Sequence, residues 1–368
     1  MERLLEPLRD EPLPPSAVDI GRALVAGRRR VRHRRLASAA AASCAVLALV
    51  GGITVIVAGE APDGSRPPVA QEPTASPPPM PARAPAAFEP LHRYAAFGWL
   101  PDGLADSFVE TGTDQLLLGA WQPMTAESHE RSGVELRIVP AGHDIALADM
   151  GDFAVEGAIT EWAGVTSAEA VNGRTARWNG RAPSSGTGAA LRWEYAPNAW
   201  AEVIVRGGAA GADARATARR IAETLRYGVD EPVRLPFGIA GLPDPLRPMS
   251  VLVSTRTFMG IPSWEARVAY GPGERTTSGE WPLTVMALPQ PSDTGDGANF
   301  GDPNGTLDGH PVRRSSMADG GKALQVYGVQ GLYLELTTDD TATTRQLPDG
   351  LDGLFRSMTL YPGLQHWQ

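Results

Sequence analysis

The residues that could bind a metal ion are few and scattered. The chain has six histidines, and no two of them have the spacing of a metal-binding pair. They are His33, His92, His129, His143, His310 and His366. Histidines and acidic residues cluster in sequence at Glu127, His129, Glu130, His143 and Asp144. A solvated loop and a metal site are the two interpretations of this cluster, and the loop is favoured, so no metal-binding residue is predicted.

A second candidate for a metal site is the segment 293–309, which is dense in Asp, Asn and Gly. Asp302, Asn304 and Asp308 could supply oxygen ligands for calcium. An EF-hand loop that started at Asp302 would need glycine at its sixth position and an acidic residue at its twelfth. Leucine and arginine stand there instead. An insertion between strands is therefore favoured, and calcium binding is the alternative.

The motifs of nucleophilic catalysis and phosphate binding are absent from the sequence. There is no G-x-S-x-G elbow, no Walker loop and no G-x-G-x-x-G fingerprint. The segment 184–188, SSGTG, is rich in glycine, but it lacks a lysine and precedes a strand-like segment, which favours a flexible hairpin tip. We therefore predict no catalytic residue, no cofactor-binding residue and no cofactor. The chain is expected not to be an enzyme, and an extracytoplasmic hydrolase is the least favoured alternative.

Tryptophan is the remaining residue type that could form a ligand site, and the chain has nine. Trp193 and Trp200 lie on strand-like segments, where aromatic side chains commonly pack against a helix, so both are predicted to be in the core. Four others cannot be assigned to the inside or the outside. They are Trp99, Trp121, Trp264 and Trp281. A carbohydrate or peptide groove between the two repeats described below is the alternative role.

The elements that would position such residues begin with an apolar stretch, Leu36 to Ala58. It has 23 residues and no charge, and at about 1.5 Å per residue it is long enough to cross a membrane as a helix. Six arginines stand directly before it: Arg28, Arg29, Arg30, Arg32, Arg34 and Arg35. Because basic segments stay in the cytoplasm, we predict a single-pass plasma-membrane protein with a cytoplasmic N-terminus and extracytoplasmic C-terminal domains. A cleaved signal peptide is the alternative, although the apolar run is longer than is usual for one.

The charge differs between the two sides of this stretch. Residues 1–35 have nine arginines and five acidic residues, whereas the rest of the chain has 24 basic and 37 acidic residues. The basic side suits an anionic inner leaflet, and the acidic side argues against a nucleic-acid partner. Cys44, the only cysteine, lies within the stretch, so no intramolecular disulfide is possible.

The chain is predicted to consist of five segments. Residues 1–35 form a short cytoplasmic basic segment with too few apolar residues for a core. A transmembrane helix at 36–58 follows, and then a proline-rich, semi-rigid linker at 59–90. The last 278 residues are predicted to form two extracytoplasmic repeats, 91–232 and 240–368.

The repeats are recognised by landmarks that recur in the same order. Leu100-Pro101-Asp102 returns as Leu242-Pro243-Asp244, and VNGRTAR at 171–177 matches LDGHPVR at 307–313. ALRWEYAPNAWAEVIV at 190–205 aligns without gaps to ALQVYGVQGLYLELTT at 323–338.

Local patterns indicate the elements within each repeat. Apolar and polar residues alternate at 190–195, and the Ala196–Ala199 turn returns the chain as a second strand, which predicts a hairpin. A helix follows, with Asp213 as its N-cap and Gly228 as its stop, and a second helix is predicted at 351–356. The predicted fold class is therefore α+β: one N-terminal transmembrane helix, then two similar domains, each an antiparallel sheet with a C-terminal packed helix.

These motifs resemble an uncharacterised bacterial extracytoplasmic domain family that occurs in sporulation lipoproteins and sigma-factor-linked membrane proteins. The resemblance covers about 91–230 well and 240–360 weakly. It implies structural landmarks and no catalytic residues. Residues 1–58 resemble the short arginine-rich anchor heads of actinobacterial membrane proteins, in agreement with a composition in which Lys322 is the only lysine.

The favoured function is a non-enzymatic, membrane-anchored sensing or interaction module, with a link to envelope-stress or sigma-factor regulation. The alternative is a module that binds peptidoglycan, lipid or protein in the envelope and has no signalling role. The expected partners are membrane lipid, through the transmembrane helix, and a protein or envelope component outside. No nucleic-acid partner is expected.

Overall fold

The computed structural model describes residues 79–123, 132–143, 145, 164–180, 188–207, 213–258, 261–273, 281–289, 301–317 and 320–361. Apart from Gly301 and Asp302, all of them belong to one compact unit, which comprises Val57–Gln290 and Pro303–Gln368. Strands dominate this part of the chain, and its helices are short.

The elements follow one another in this order: β1 (His92–Ala96), β2 (Asp106–Gly112), β3 (Leu116–Trp121), β4 (Gly133–Ile138), β5 (Thr166–Val171), β6 (Arg174–Trp178), β7 (Gly188–Ala196), β8 (Ala199–Arg206), α1 (Ala214–Thr224), β9 (Arg226–Pro232), β10 (Phe237–Ile239), β11 (Arg247–Phe258), β12 (Ile261–Gly271), β13 (Leu283–Pro289), β14 (Gly305–Leu307), β15 (His310–Ser316), β16 (Gly320–Val329), β17 (Leu332–Asp340), α2 (Thr341–Gln346), α3 (Gly350–Arg356) and β18 (Met358–Leu360).

One antiparallel sheet of 14 strands contains most of these elements. Its order is β14-β15-β16-β17-β13-β12-β11-β2-β3-β4-β8-β7-β6-β5. Counted outwards from the centre, β2, β3, β4, β8, β7, β6 and β5 on one side correspond to β11, β12, β13, β17, β16, β15 and β14 on the other. Strands β2 to β8 therefore form one half of the sheet, and β11 to β17 form the other. The two halves meet where β2 pairs with β11. Two further pairs, β1 with β9 and β10 with β18, form separate two-stranded sheets.

The outermost hairpins of the two halves have the same turn. Asn172 and Gly173 connect β5 to β6 with φ angles of 48° and 81°, and Asp308 and Gly309 connect β14 to β15 with 48° and 85°. Two successive residues with positive φ are typical of a type I′ turn, whose twist matches that of the strands. Asn-Gly and Asp-Gly sequences adopt this conformation with little strain, and this explains why both hairpins form at these positions.

The predicted hairpin at 190–205 is confirmed as β7 and β8. Arg192 lies opposite Glu202 in this hairpin. In the aligned hairpin, β16 and β17, Gln325 lies opposite Glu335. The gap-free sequence alignment therefore corresponds to the same strand register in both halves.

Helix α1 begins as predicted but ends earlier. The Asp213 carboxylate accepts hydrogen bonds from the backbone N–H groups of Arg215 and Ala216, each at 3.0 Å, so the predicted N-cap is confirmed. The helix ends at Thr224, and Gly228 lies in β9, so the predicted stop is wrong. The chain leaves the helix in an extended conformation, which lets it pair with β1.

The apolar core lies on one face of the large sheet. Val134, Leu136 and Ile138 of β4 face it, and the three helices cover it, α1 over β7 and β8 and the two shorter helices over β16 and β17. In the other half, Leu334 and Leu336 of β17 pack against leucines of α3 and of the segment before it. The strand period of two sends the intervening side chains to the opposite face.

The predicted fold class is wrong. The strands do not form two α+β domains, each with its own sheet and packed helix, because both halves contribute to one continuous sheet in a mostly β structure. A separate sheet in each half would leave β2 and β11 as unpaired edges. Pairing them satisfies both rows of backbone groups, and the local sequence patterns contain no information on this contact.

The predicted membrane span at 36–58 lies outside the described residues, as do residues 1–35 and most of the linker. Within the described ranges, no helix has the length and apolar character needed to span a membrane.

Candidate functional site

The face of the large sheet opposite the core is mostly polar, apart from a small buried apolar cluster of Phe108, Leu117, Trp121 and Leu252, and we call it the charged face. Strand β4 shows why: alternate residues enter the core, while Glu135 and Arg137 between them point to the other side. Several side chains on this face are nonetheless buried. Buried charges require partners, so this face is the part of the described structure with the most demanding electrostatics.

One row of side chains crosses twelve strands of this face in continuous register. Each member lies directly opposite the next on the neighbouring strand. Most members are charged. From β6 to β15 they are Arg177, Arg192, Glu202, Arg137, Leu117, Glu110, Leu252, Arg267, Met286, Glu335, Gln325 and Arg313.

In the first half, this row and its neighbours form a buried ionic cluster. Glu202 is 2% exposed and accepts hydrogen bonds from Arg192 Nε at 3.1 Å and Nη2 at 2.7 Å. Glu135 is 4% exposed, with Arg206 Nη2 at 3.9 Å. Arg137 Nη1 donates to a backbone carbonyl at 3.3 Å. Each of the two buried carboxylates therefore has a guanidinium group close to it, Arg192 beside Glu202 and Arg206 near Glu135.

Burial raises the pKa of the Glu135 carboxyl group, because removal from water disfavours its charged form. Arg206 and Arg137 oppose this shift, and the nearby Glu202 carboxylate adds to it. The net direction is upward, so desolvation outweighs the attraction of the two arginines. Such perturbed groups occur both at functional sites and in structural ion-pair networks.

The equivalent cluster in the second half uses hydroxyl and amide groups. Glu335 Oε2 accepts hydrogen bonds from the Tyr333 hydroxyl at 2.9 Å and from Gln325 Nε2 at 3.3 Å. The Tyr327 hydroxyl donates to Gln325 Oε1 at 3.3 Å. Burial and the Glu335 charge together raise the pKa of Tyr333 above its ordinary value. The two halves therefore share strand order but differ in the chemistry of their charged faces.

The two halves meet at Glu110 and Leu252, which lie opposite each other on β2 and β11. The repeat alignment that places Leu100 against Leu242 also places Glu110 against Leu252. The pairing is symmetrical about this point, since Phe108 lies opposite Ser254 and, on the other side, Gly112 lies opposite Ser250. An approximate two-fold axis therefore passes between Glu110 and Leu252.

A shallow depression lies beside this axis on the charged face, about 270 Å³ with the open solvent above it included, and we call it the junction trough. It spans β2, β11, β12 and the start of β13. Its lining residues are Glu110, Ser250, Leu252, Arg267, Ala269, Trp281 and Thr284.

The trough exists because small side chains stand next to large ones. Ser250, Ala269 and Thr284 lie opposite one another on three successive strands and form its floor. The row with Glu110 and Arg267 forms one wall. Trp281 forms the other, close to Gly271, where a Cβ atom would lie 3.5 Å from the indole.

The candidate site residues that the sequence offered mostly do not converge. His92 Nδ1 lies 2.9 Å from the Asp230 carboxylate on the exposed β1–β9 pair, and His310 packs edge-on against Phe355. Apart from His143, the residues of the histidine cluster lie outside the described part of the chain, as does most of the SSGTG segment. Among the described residues, no group of three histidine, cysteine or acidic side chains could hold a metal ion.

The described end of the candidate calcium loop has structural contacts. The Asn304 side chain bonds the backbone of Arg314, with Nδ2 donating to O at 2.8 Å and Oδ1 accepting from N at 2.9 Å. Asp308 forms an ion pair with Arg356 at 3.2 Å. These side chains tie β14, β15 and α3 together. Residues 293–300 lie outside the described part of the chain.

The tryptophans divide between core and surface. Trp193 is fully buried and its Nε1 donates to the Tyr227 hydroxyl at 2.9 Å, so its predicted core position is confirmed. Trp200 is only partly buried, with the Arg177 guanidinium 5.8 Å from its ring centre, so that core prediction is wrong. The reason is its place in the strand: it points to the charged face, whereas Trp193 points to the core.

The four unassigned tryptophans occupy different environments. Trp121 is buried on the charged face beside Phe108. Trp264 is partly buried against the second-half core, and Arg220 lies 4.0 Å above the Trp99 ring. Only Trp281 lines the trough. Glu110 and Arg267 were not singled out from the sequence, since each becomes notable only through the register of β2, β11 and β12.

No protein-family model matches the sequence, and no match was found among curated proteins. Two solved structures show a likeness, each with 11% identity and a TM-score of 0.20. One is described as "Crystal structure of MucB in complex with MucA(peri)"; the match covers 69% of this chain and 92% of that one. The other, "The complex structure of Pseudomonas aeruginosa MucA/MucB", is covered to 94% by 70% of this chain. At this TM-score the likeness carries no conclusion about the fold or function of this protein.

Proposed function

We propose that this protein is a non-catalytic interaction module held at the outer side of the plasma membrane. The apolar segment 36–58 would anchor it, residues 1–35 would lie in the cytoplasm, and the sheet would lie outside. The uncharged segment and the preceding arginines support this orientation.

The charged face with its junction trough is the observation that supports binding as the activity. The row across twelve strands is mostly charged, and its polar groups, several of them buried, are held in fixed register. Interfaces of this kind gain specificity and association rate from complementary charge. The trough adds a concave point at the centre, where two halves of one chain meet, which is a common position for a ligand.

A protein partner in the envelope is the favoured ligand. The finer proposal, a link to envelope-stress or sigma-factor regulation, rests on the resemblance of residues 1–58 and 91–230 to sigma-factor-linked membrane proteins. In that role the charged face would bind a partner outside, and the N-terminal segment would act on the cytoplasmic side.

Site-specific crosslinking in cells tests this proposal on the full chain. A photo-crosslinking residue in place of Thr284, in the trough, should capture a defined envelope protein. The same residue in place of Thr359, exposed on β18, is the matched control and should not capture it. Capture of peptidoglycan or lipid at Thr284 would favour the alternative of an envelope-binding module without a signalling role. Equal capture at both positions would refute the trough as the binding surface.

Topology is tested separately in spheroplasts. External protease should remove the part after residue 90 and leave residues 1–35 protected. Protection of the C-terminal part would refute the proposed orientation.

A further inference from the structure

The last part of the predicted linker is packed against the first half of the sheet. Met80 is partly buried against the core, and its sulfur atom lies 4.0 Å from Asn172 Nδ2. Further along, the Pro85 carbonyl accepts a hydrogen bond from the backbone N–H of Ala141 at 2.9 Å. Residues 59–78 separate this packed part from the predicted membrane span, and we call them the tether.

The tether joins the folded part beside the C-terminal end of α1. Asn172, which contacts Met80, also donates a hydrogen bond from Nδ2 to the Glu223 carbonyl at 3.0 Å, one residue before the helix ends. The loop after β1 packs there too, since a Cβ atom on Gly98 would collide with the Thr224 carbonyl. A tether attached at this point holds the surface around α1 at a high effective concentration relative to the membrane.

The exposed side of α1 is basic, although the part of the chain after the predicted span is acidic as a whole. Arg215, Arg220 and the following Arg226 are exposed, and within the described part of the chain none of the three forms an ion pair. We call these three residues the arginine patch. The remaining arginine of the helix, Arg219, is compensated by Glu223 at 2.7 Å.

Two arginines of the patch lie over tryptophan rings. The Arg220 guanidinium is 4.0 Å from the centre of the Trp99 ring, and the Arg215 guanidinium is 5.2 Å from that of Trp178. Such a contact uses the flat side of the guanidinium group and leaves the N–H groups at its edge, whose geometry matches phosphate oxygens. Indole rings in turn favour the boundary between water and lipid. The patch therefore combines the two residue types that suit a phospholipid headgroup region.

We propose that the arginine patch binds the phosphate groups of anionic phospholipids in the outer leaflet and so lays α1 against the bilayer. This inference rests on the proposed function, because it takes the sheet to be tethered outside the plasma membrane. It adds a lipid-binding surface on the folded part itself. Since α1 covers the core face of the sheet, this contact turns the opposite, charged face away from the membrane and towards a partner.

Full-length protein in lipid vesicles tests the proposal. In a Cys44→Ser background, Ala216→Cys carries a fluorophore on the exposed side of α1, and Thr359→Cys carries it on β18 as the control. The vesicles contain a nitroxide lipid that quenches the fluorophore at the headgroups, and they consist of phosphatidylcholine with or without phosphatidylglycerol. Quenching at 216 should require phosphatidylglycerol and fall at high salt, because salt screens exposed charges. No quenching should occur at 359. Equal quenching at 216 in both kinds of vesicle would overturn the proposal.

Matched variants identify the residues responsible. Loss of one arginine near an anionic surface weakens attraction roughly fivefold, so the double variant Arg215→Gln/Arg220→Gln should lose most of the quenching at 216. Arg345→Gln removes an exposed arginine of α2 and should leave it unchanged. Folding is checked by near-ultraviolet circular dichroism. If the double variant does not fold, Arg226→Gln, which disturbs no ring contact, decides the outcome. Quenching that persists in a folded patch variant would overturn the proposal.

Flotation of the same samples separates this proposal from the membrane anchor. A protein that floats with both kinds of vesicle but shows no quenching at 216 would refute the patch and leave the anchor standing. A protein that floats only with phosphatidylglycerol vesicles and is quenched at 216 would refute the anchor and leave the lipid-binding patch standing.

Discussion

Two kinds of buried residue distinguish the faces of the large sheet. On the core face, Trp193, Leu191 and Val203 are fully buried and apolar, and they stabilise the fold by leaving water. On the charged face, Glu135 and Glu202 are buried too, and there each ion must be compensated by a partner. Buried ion pairs contribute little net stability, although removal of one partner is strongly destabilising. The two faces therefore differ in how they respond to substitution and to pH.

Substitution of Trp193 by alanine tests the core. The variant loses the buried indole and leaves the Tyr227 hydroxyl without its hydrogen-bond donor. We expect the free energy of unfolding to fall by about 3–5 kcal/mol, measured by chemical denaturation. Trp178→Ala is the matched control, because that side chain is only partly buried, and it should cost clearly less. Equal effects for the two variants would contradict this packing.

Glu135 predicts a pH dependence. Its folded-state pKa is raised by burial, so its contribution to stability is fully present below the unfolded pKa of about 4.3 and is lost as the pH rises through the folded pKa. Wild type should therefore lose stability relative to Glu135→Gln as the pH rises over this window. The measurement is the free energy of unfolding of both proteins from acidic to neutral pH. A constant difference would show that the two arginines balance burial, and a difference of opposite sign would show that they outweigh it.

Pairing of β2 with β11 is the decisive contact between elements. It joins two seven-stranded halves, and it is supported by side chains across the join, as where the Ser107 and Thr255 hydroxyls lie 2.9 Å apart. Both strands thereby become central strands with a neighbour on each side. Central strands have all their backbone groups paired, whereas edge strands have one row open to solvent.

Hydrogen exchange tests this join directly. Amides at 109–111 of β2 and 251–253 of β11 should be protected as strongly as those at the centres of β8 and β17. Amides of the edge strand β5 are the control and should exchange much faster. Exchange of β2 and β11 at the rate of β5 would show that the halves separate readily in solution and behave as independent domains.

A sheet of this size has two exposed edges, and both are blunted. At one edge β5 has a bulge between Ala168 and Val171, and Arg219 donates to the carbonyl groups of Glu169 at 3.3 Å and Ala170 at 3.0 Å. At the other edge β14 is only three residues long. Blunted edges of this kind hinder strand pairing with a second molecule, which keeps the molecule from growing into longer sheets.

Removal of the Arg219 side chain, which covers the β5 edge, should change the association state. Arg219→Ala frees two β5 carbonyl groups, and we expect self-association that increases with concentration, measured by size-exclusion chromatography with light scattering. Arg220→Ala is the matched control, because its guanidinium packs on Trp99. It should keep the mass of the wild-type protein. The same mass for both variants at all concentrations would show that Arg219 does not protect the edge.

The sequence by itself determined the local elements of this protein. The hairpin at 190–205, the N-cap at Asp213 and the core position of Trp193 each depend on residues within a few positions of one another, so alternation, capping and turn chemistry were sufficient. Trp200 shows the limit of this reasoning: its strand was correct, but its face was assigned wrongly.

Only the tertiary structure decided the architecture and the candidate site. The contact of Glu110 with Leu252 joins residues from opposite halves of the chain, and no local pattern favours that pairing over two separate sheets. The trough follows from the same contact, because its walls and floor come from four strands whose register is set by long-range hydrogen bonds. Pairing satisfies the open backbone groups of β2 and β11, and in doing so it places Glu110, Arg267 and Trp281 around one depression.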